Sequence, residues 1–139
     1  MNGNSTTIAN TIHRRIVEDG GLTLSVTPEA FDSVILETVT FYKGYQVSIA
    51  DQYKRPFGHK LSPIELQDLI KATVEQAKLL NKPTYIGIWR EDDIVYYDTS
   101  IHVTDPWEAR DIALKHNQKA IHDWRTGKDI YVNKWSLGV

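Results

Sequence analysis

Apolar and polar positions along the chain change period several times, and the changes divide it into elements. Ile8, Ile12, Ile16 and Val17 fall at helical spacing, so residues 1–19 are expected to be a short helical or flexible lead-in, which Gly20-Gly21 then breaks. Leu22, Leu24 and Val26 alternate with Thr23 and Ser25, the period of two that marks a half-buried strand, and Thr27-Pro28 closes it. Residues 34–39 and 44–50 are both rich in β-branched or aromatic side chains. Separated by Phe41, Tyr42 and Lys43, they are expected to pair antiparallel. In the second of them Tyr45, Val47 and Ile49 alternate with Gln46 and Ser48, leaving one apolar face and one that offers hydrogen-bonding groups. Residues 51–60 mix cations, aromatics, Pro56 and Gly58, and are read as an ordered loop.

The second half is more regular. Ser62, Pro63 and Glu65 carry the chemistry of a helix start: a hydroxyl for a first-turn amide, a proline where a missing N–H costs nothing, and a glutamate to complete a capping box. Leu66, Leu69, Ile70, Thr73, Ala77 and Leu80 then share one stripe, and Pro83 forbids continuation, so the helix ends near Leu80. Residues 85–90 and 94–103 flank an acidic turn and predict a hairpin. In its longer strand Val95, Tyr97, Ile101 and Val103 share one face, while Ile94, Tyr96, Asp98, Ser100 and His102 share the other. Asp105, Pro106 and Glu108 repeat the cap logic for a second helix that stops near Asn117. Residues 120–124 and 130–135 then predict a second hairpin across Thr126-Gly127. The expected fold class is α+β, a mostly antiparallel sheet of about six strands with two helices packed on one side.

Length and composition add the scale. A chain of 139 residues with 41% hydrophobic side chains is expected to form one domain, 1–139, around one core. The chain holds no cysteine, which removes disulfides and thiolate chemistry and fits a reducing compartment, so a cytoplasmic location is expected. No apolar run is long enough for a membrane span, and neither a signal peptide nor an anchor is expected. A net charge of −2 argues against duplex nucleic acid as a partner, because that affinity comes from many cations neutralising phosphates.

Chemistry is thinly signalled. The phosphate-binding glycine loops, the nucleophile elbow and paired histidines at helical ligand spacing are all missing. His13, His59, His102, His116 and His122 follow no metal-ligand rule, so no metal, cofactor or catalytic set is assigned. The densest local signal is residues 41–60, where Lys54 and Arg55 stand with Lys43, His59 and Lys60 among Tyr45 and other aromatics. Cations hold phosphate and aromatic faces stack bases, although a solvated loop that happens to be basic explains the composition equally well. Trp89 at a strand end is the tryptophan best placed to stack on a planar ligand. Asp98 lies in an otherwise apolar strand, where it either pairs with a cation or accepts from a ligand hydroxyl. Arg110 and Lys115 lead to Asn117 and Gln118, whose amides suit a base edge or a ribose; for Asn117 a helix C-cap is the plainer reading.

Taken in order, Gly20-Gly21-Leu22-Thr23-Leu24, Lys43-Gly44-Tyr45-Gln46-Val47-Ser48, Tyr85-Ile86-Gly87-Ile88-Trp89, Tyr97-Asp98, Asn117-Gln118 and Ala120-Ile121-His122-Asp123 resemble the first type of phage Thoeris anti-defence protein, over a span from Gly20 to Val132. The resemblance implies a sponge that encloses a cyclic ADP-ribose signal, or a cyclic oligonucleotide, without cleaving it. It further implies a homo-oligomer in the host cytoplasm with pockets between protomers and a small anionic nucleotide as ligand. Arg55, Trp89, Arg110 and Asn117 are the residues of the kind that family uses near the matching segments. Two other classes remain open: a module that covers a host protein, and a nuclease or glycan-type enzyme using His122 with Asp123 or Asp98.

Overall fold

The computed structural model describes residues 5–29 and 33–134. Helix α1 (Ser5–Asp19) leads into β1 (Gly21–Pro28), β2 (Val34–Thr38) and β3 (Tyr45–Pro56). Then come α2 (Pro63–Leu80), β4 (Tyr85–Glu91), β5 (Ile94–Val103), α3 (Pro106–Lys115), β6 (Ala120–Asp123), β7 (Lys128–Tyr131) and a 3₁₀ turn at Val132–Lys134. The strands form one seven-stranded antiparallel sheet in the order β2-β1-β4-β5-β3-β6-β7. The fold is thus α+β as expected, with one strand and one helix more than the pattern indicated. Trp135, assigned to the last strand from the sequence, lies outside the described residues.

Two local expectations are corrected. β2 pairs with β1, not with β3, and β3 instead runs between β5 and β6. A short apolar strand near another is not thereby its partner, because register follows the face that each must bury. Residues 51–56 are not loop but the far half of β3, carried past two bulges that spoil the alternation a reader of sequence relies on.

All three helices lie on one face. Ser62 accepts from the Glu65 amide and Glu65 answers to the Ser62 N–H, so the capping box of α2 is formed. Asn81 ends the helix in the left-handed region. Asp105 accepts from Trp107 N at 2.9 Å and starts α3. Ile12 and Ile16 of α1 and Leu66, Leu69 and Ile70 of α2 pack on Leu22, Leu24, Ile86, Ile88, Val95 and Tyr97. Ala109 and Ala113 of α3 let that helix approach Val47, Ile101, Val103 and Ile121 closely. Apolar burial of this kind contributes about 25 cal/mol per Å² and fixes which face of each strand points inward. No helix of the described residues is long and apolar enough to cross a membrane.

Candidate functional site

Among the described residues the other face of the sheet carries no helix, and its residues follow from the register. Opposite Asp98 of β5 stand Gly87 of β4 and Asp51 of β3; opposite Ser100 stand Tyr85 and Ser48; opposite His102 stands Gln46. Gly21 and Thr23 of β1 pair with Trp89 and Gly87, and His122 of β6 pairs with Gln46. Small residues in the middle and aromatics around them leave a cleft of about 480 Å³ that crosses the sheet from β1 to the β6–β7 hairpin.

Its aromatic walls are held in place. Trp89 stacks on Tyr96 with ring centres 4.3 Å apart. The chain before β3 folds Phe41 onto His102 at 3.9 Å, edge-on to both Tyr85 and Trp124. Gly44 makes that fold possible: its φ is +89°, and a Cβ there would meet His102 Nε2 at 2.4 Å.

Gln46 is the hub of the floor. Its Oε1 accepts from the Thr23 hydroxyl at 2.8 Å and from the Trp124 indole at 3.2 Å, while its Nε2 donates to Ser100 Oγ at 2.8 Å. One side chain thereby ties β1, β3, β5 and the hairpin after β6 together.

Asp98 is different. It is 6% exposed, its Oδ2 accepts from the Trp89 indole at 3.3 Å, and its Oδ1 has no hydrogen-bond partner among the described residues. Burial pushes its carboxyl up to about 7. The nearby charge of Asp51 adds to the rise; the Trp89 indole opposes it, as do the Ser48 hydroxyl and the Gly87 amide, which lie near the carboxylate without meeting hydrogen-bond geometry. The Ser48 hydroxyl, between the two acids, donates to Asp51 at 3.4 Å. Gly87 is what lets the carboxylate lie across β4, since a Cβ there would come within 2.4 Å of Asp98 Oδ1.

At one end of the cleft the Arg90 amide donates to Gly20 O at 2.8 Å, joining the hairpin to the end of α1, and Arg15 and Arg90 line it there. Arg15 is paired with Asp19, and the Arg90 guanidinium covers the Phe57 ring at 3.7 Å. At the other end His122 Nδ1 and Asp129 Oδ1 are 2.9 Å apart. Asp123, the carboxylate next to His122 in sequence, instead accepts from the Arg125 amide at 3.0 Å. No group of three or more His, Asp or Glu able to hold a metal occurs among the described residues.

The eight residues singled out from the sequence do not gather in one place. Trp89, Asp98 and Gln118 line the cleft, with Gln118 Nε2 donating to Asp51 at 3.4 Å. Tyr45 packs on the helix-covered face. Arg55 is there too, bound to Glu65 of α2. Lys54 stands exposed opposite Tyr96, outside the cleft lining. Arg110 belongs to α3, with a contact of 3.8 Å to Asp111 and a buried Nε lacking a hydrogen-bond partner among the described residues. Asn117 has φ of 57° just past α3, the capping conformation. The basic segment does not close over the cleft: Lys60 donates to Asn10 of α1, and Phe57 N donates to Asp93 O of the hairpin turn. Gln46, Gly87 and Trp124 went unassigned in the sequence. A glycine inside an otherwise β-forming run was the available signal for Gly87. The chain matches no protein-family model, no curated protein and no solved structure.

Proposed function

We propose that this protein binds a small ligand in the open-face cleft and holds it without converting it, and that the ligand is a nucleotide-type signal of the cyclic ADP-ribose or cyclic oligonucleotide kind. The observation that carries the reading is the buried carboxylate of Asp98, with one oxygen unpartnered, beneath a cleft walled by Trp89 and Trp124. Apolar walls with a few convergent polar groups are what a small-molecule site requires. Indole faces suit stacking on a base, and an acceptor at the floor suits an amino group or a ribose hydroxyl. The resemblance to the Thoeris anti-defence proteins points the same way, and adds sequestration as the role and a homo-oligomer as the acting form. Arg15, at one end of the cleft and paired with Asp19, is the cation near which the anionic part of such a ligand would rest.

Isothermal titration of the purified protein with a cyclic ADP-ribose isomer, and separately with cyclic trinucleotides, tests the reading. Saturable binding without product, followed by chromatography of the ligand after incubation, is the expected result. Absence of binding to both classes overturns it, and turnover of either overturns the sequestering role.

A further inference from the structure

Resting on the proposed nucleotide site, a finer statement concerns which end of the ligand the cleft takes. We propose that the Asp98 carboxylate anchors an N–H or O–H donor of the ligand, so that the amino- or hydroxyl-bearing end sits on the floor and any phosphate stays at the rim, and that acidification releases it.

Three observations converge on this. The first is an unsatisfied acceptor: buried polar atoms almost always find partners, and Asp98 Oδ1 has none among the described residues. The second is construction. Gly87 leaves room for the carboxylate to lie across the neighbouring strand, which alanine would deny by 2.4 Å contact. The third is the sign of the surroundings. From β3 the floor is faced by Asp51, Ser48 and Gln46, and from β4 by Trp89 and Gly87; the only other ionisable group in that set is negative. His102, on the same strand, stacks on Phe41 with Nε2 held 2.8 Å from Lys43 O, and His122 is tied to Asp129. Two carboxylates and no cation repel a phosphate and welcome a donor. Because the Asp98 carboxyl titrates near neutrality, its acceptor character is lost within reach of mild acid.

Nucleosides carry the donor end without phosphate and are therefore the probes. Adenosine binding, read by tryptophan fluorescence, is expected at pH 8 and should weaken roughly thirtyfold by pH 5.5, the fall in ionised fraction for a group titrating near 7. Purine riboside lacks the amino donor and adds none, and 2′,3′-dideoxyadenosine lacks the 2′- and 3′-hydroxyl donors. One of the two should lose at least about tenfold in affinity and all of the pH dependence, which names the donor. Asp98→Asn should weaken adenosine by about tenfold or more at pH 8 and flatten the profile, and Gly87→Ala should do likewise by displacing the carboxylate. Near-UV circular dichroism of each variant separates loss of the anchor from loss of fold. Inorganic phosphate should not compete. The anchor is overturned if both analogues bind as adenosine does, if phosphate displaces adenosine, or if folded Asp98→Asn retains wild-type affinity and pH dependence. It is also overturned, with the proposed function left standing, if the cyclic signal binds while adenosine does not; if neither binds, both fall.

Discussion

The two faces of strand β5 each bury a polar group, and they treat it in opposite ways. On the helix side Thr99 is fully buried, and its hydroxyl lies 2.9 Å from that of Thr73, which donates to Leu69 O or to Thr99. The Thr84 hydroxyl donates to Thr73 O at 2.6 Å, and Gln52 Nε2 donates to Thr99 at 3.3 Å. Every hydroxyl in that cluster is satisfied, as a packed interior demands. One residue earlier, on the open side, Asp98 is buried too and keeps an oxygen without a partner among the described residues. The same strand thus serves a core with one set of positions and the proposed site with the other. Neighbouring positions on one strand, both buried, differ in whether the protein itself meets their needs, and the need left unmet on the open face is the one the proposed ligand would fill.

The largest effect that tests this contrast lies on the covered side. Leu69 is fully buried between α2 and the sheet, so Leu69→Ala should lower stability by about 4 kcal/mol in urea unfolding. Whatever fraction remains folded should keep its ligand affinity, because no atom of Leu69 lines the cleft. A loss of affinity in the folded variant would break the separation of the two faces.

Next in size is the open side's carboxylate, whose effect on stability carries the opposite sign. Asp98 holds its proton up to about 7 in the folded chain and releases it near 3.8 when unfolded. Between those values the native state binds more protons, so stability is highest below about pH 4 as far as this group is concerned and falls as pH rises through 7. Asp98→Asn removes that slope and should stabilise the protein at pH 8 by up to about 4 kcal/mol, while weakening the ligand. Thermal unfolding at pH 5 and pH 8 measures both; a variant less stable than wild type at pH 8 would mean that the carboxylate is structural.

The covered face was far more legible than the open one. The capping box at Ser62 and the stripe from Leu66 to Leu80 define α2 from local chemistry alone, and the β4–β5 hairpin follows from two β-forming runs around a short turn. The sheet order was not legible in the same way. β3 reaches its partners across α2 and a hairpin, and no local pattern encodes a pairing made at that separation. Asp98 and Trp89 could be suspected individually, an acid in an apolar strand and an indole at a strand end. Gln46 and Trp124, 78 positions apart, become one feature only when β3 is inserted beside β6.

That hub supplies a smaller, sharper test. Gln46→Leu keeps the volume but leaves the Trp124 indole and the Thr23 hydroxyl without their shared acceptor, at a cost of about 2 kcal/mol. Trp124 fluorescence should shift as the indole finds water. If the open face is organised around Gln46, ligand affinity should fall along with stability. If affinity is untouched, the cleft is held by its aromatic walls and the hub matters only to the sheet.

The smallest expected effect concerns the residue that composition favoured most. Arg55 stands in the most basic stretch of the chain, yet its guanidinium is bound to Glu65 at the start of α2, with its remaining contacts to Lys54 O and the Tyr53 ring. Glu65 is held below the usual carboxylate range first by the Ser62 backbone amide of the capping box, and Arg55 adds to that. Solvent-screened pairs of this kind contribute little to stability. Arg55→Ala should therefore leave the urea-unfolding midpoint close to that of wild type and cleft affinity within about twofold. A tenfold loss of ligand binding in that variant would place the basic segment at the site after all, most directly by bringing it from a second copy of the chain to the cleft of the first.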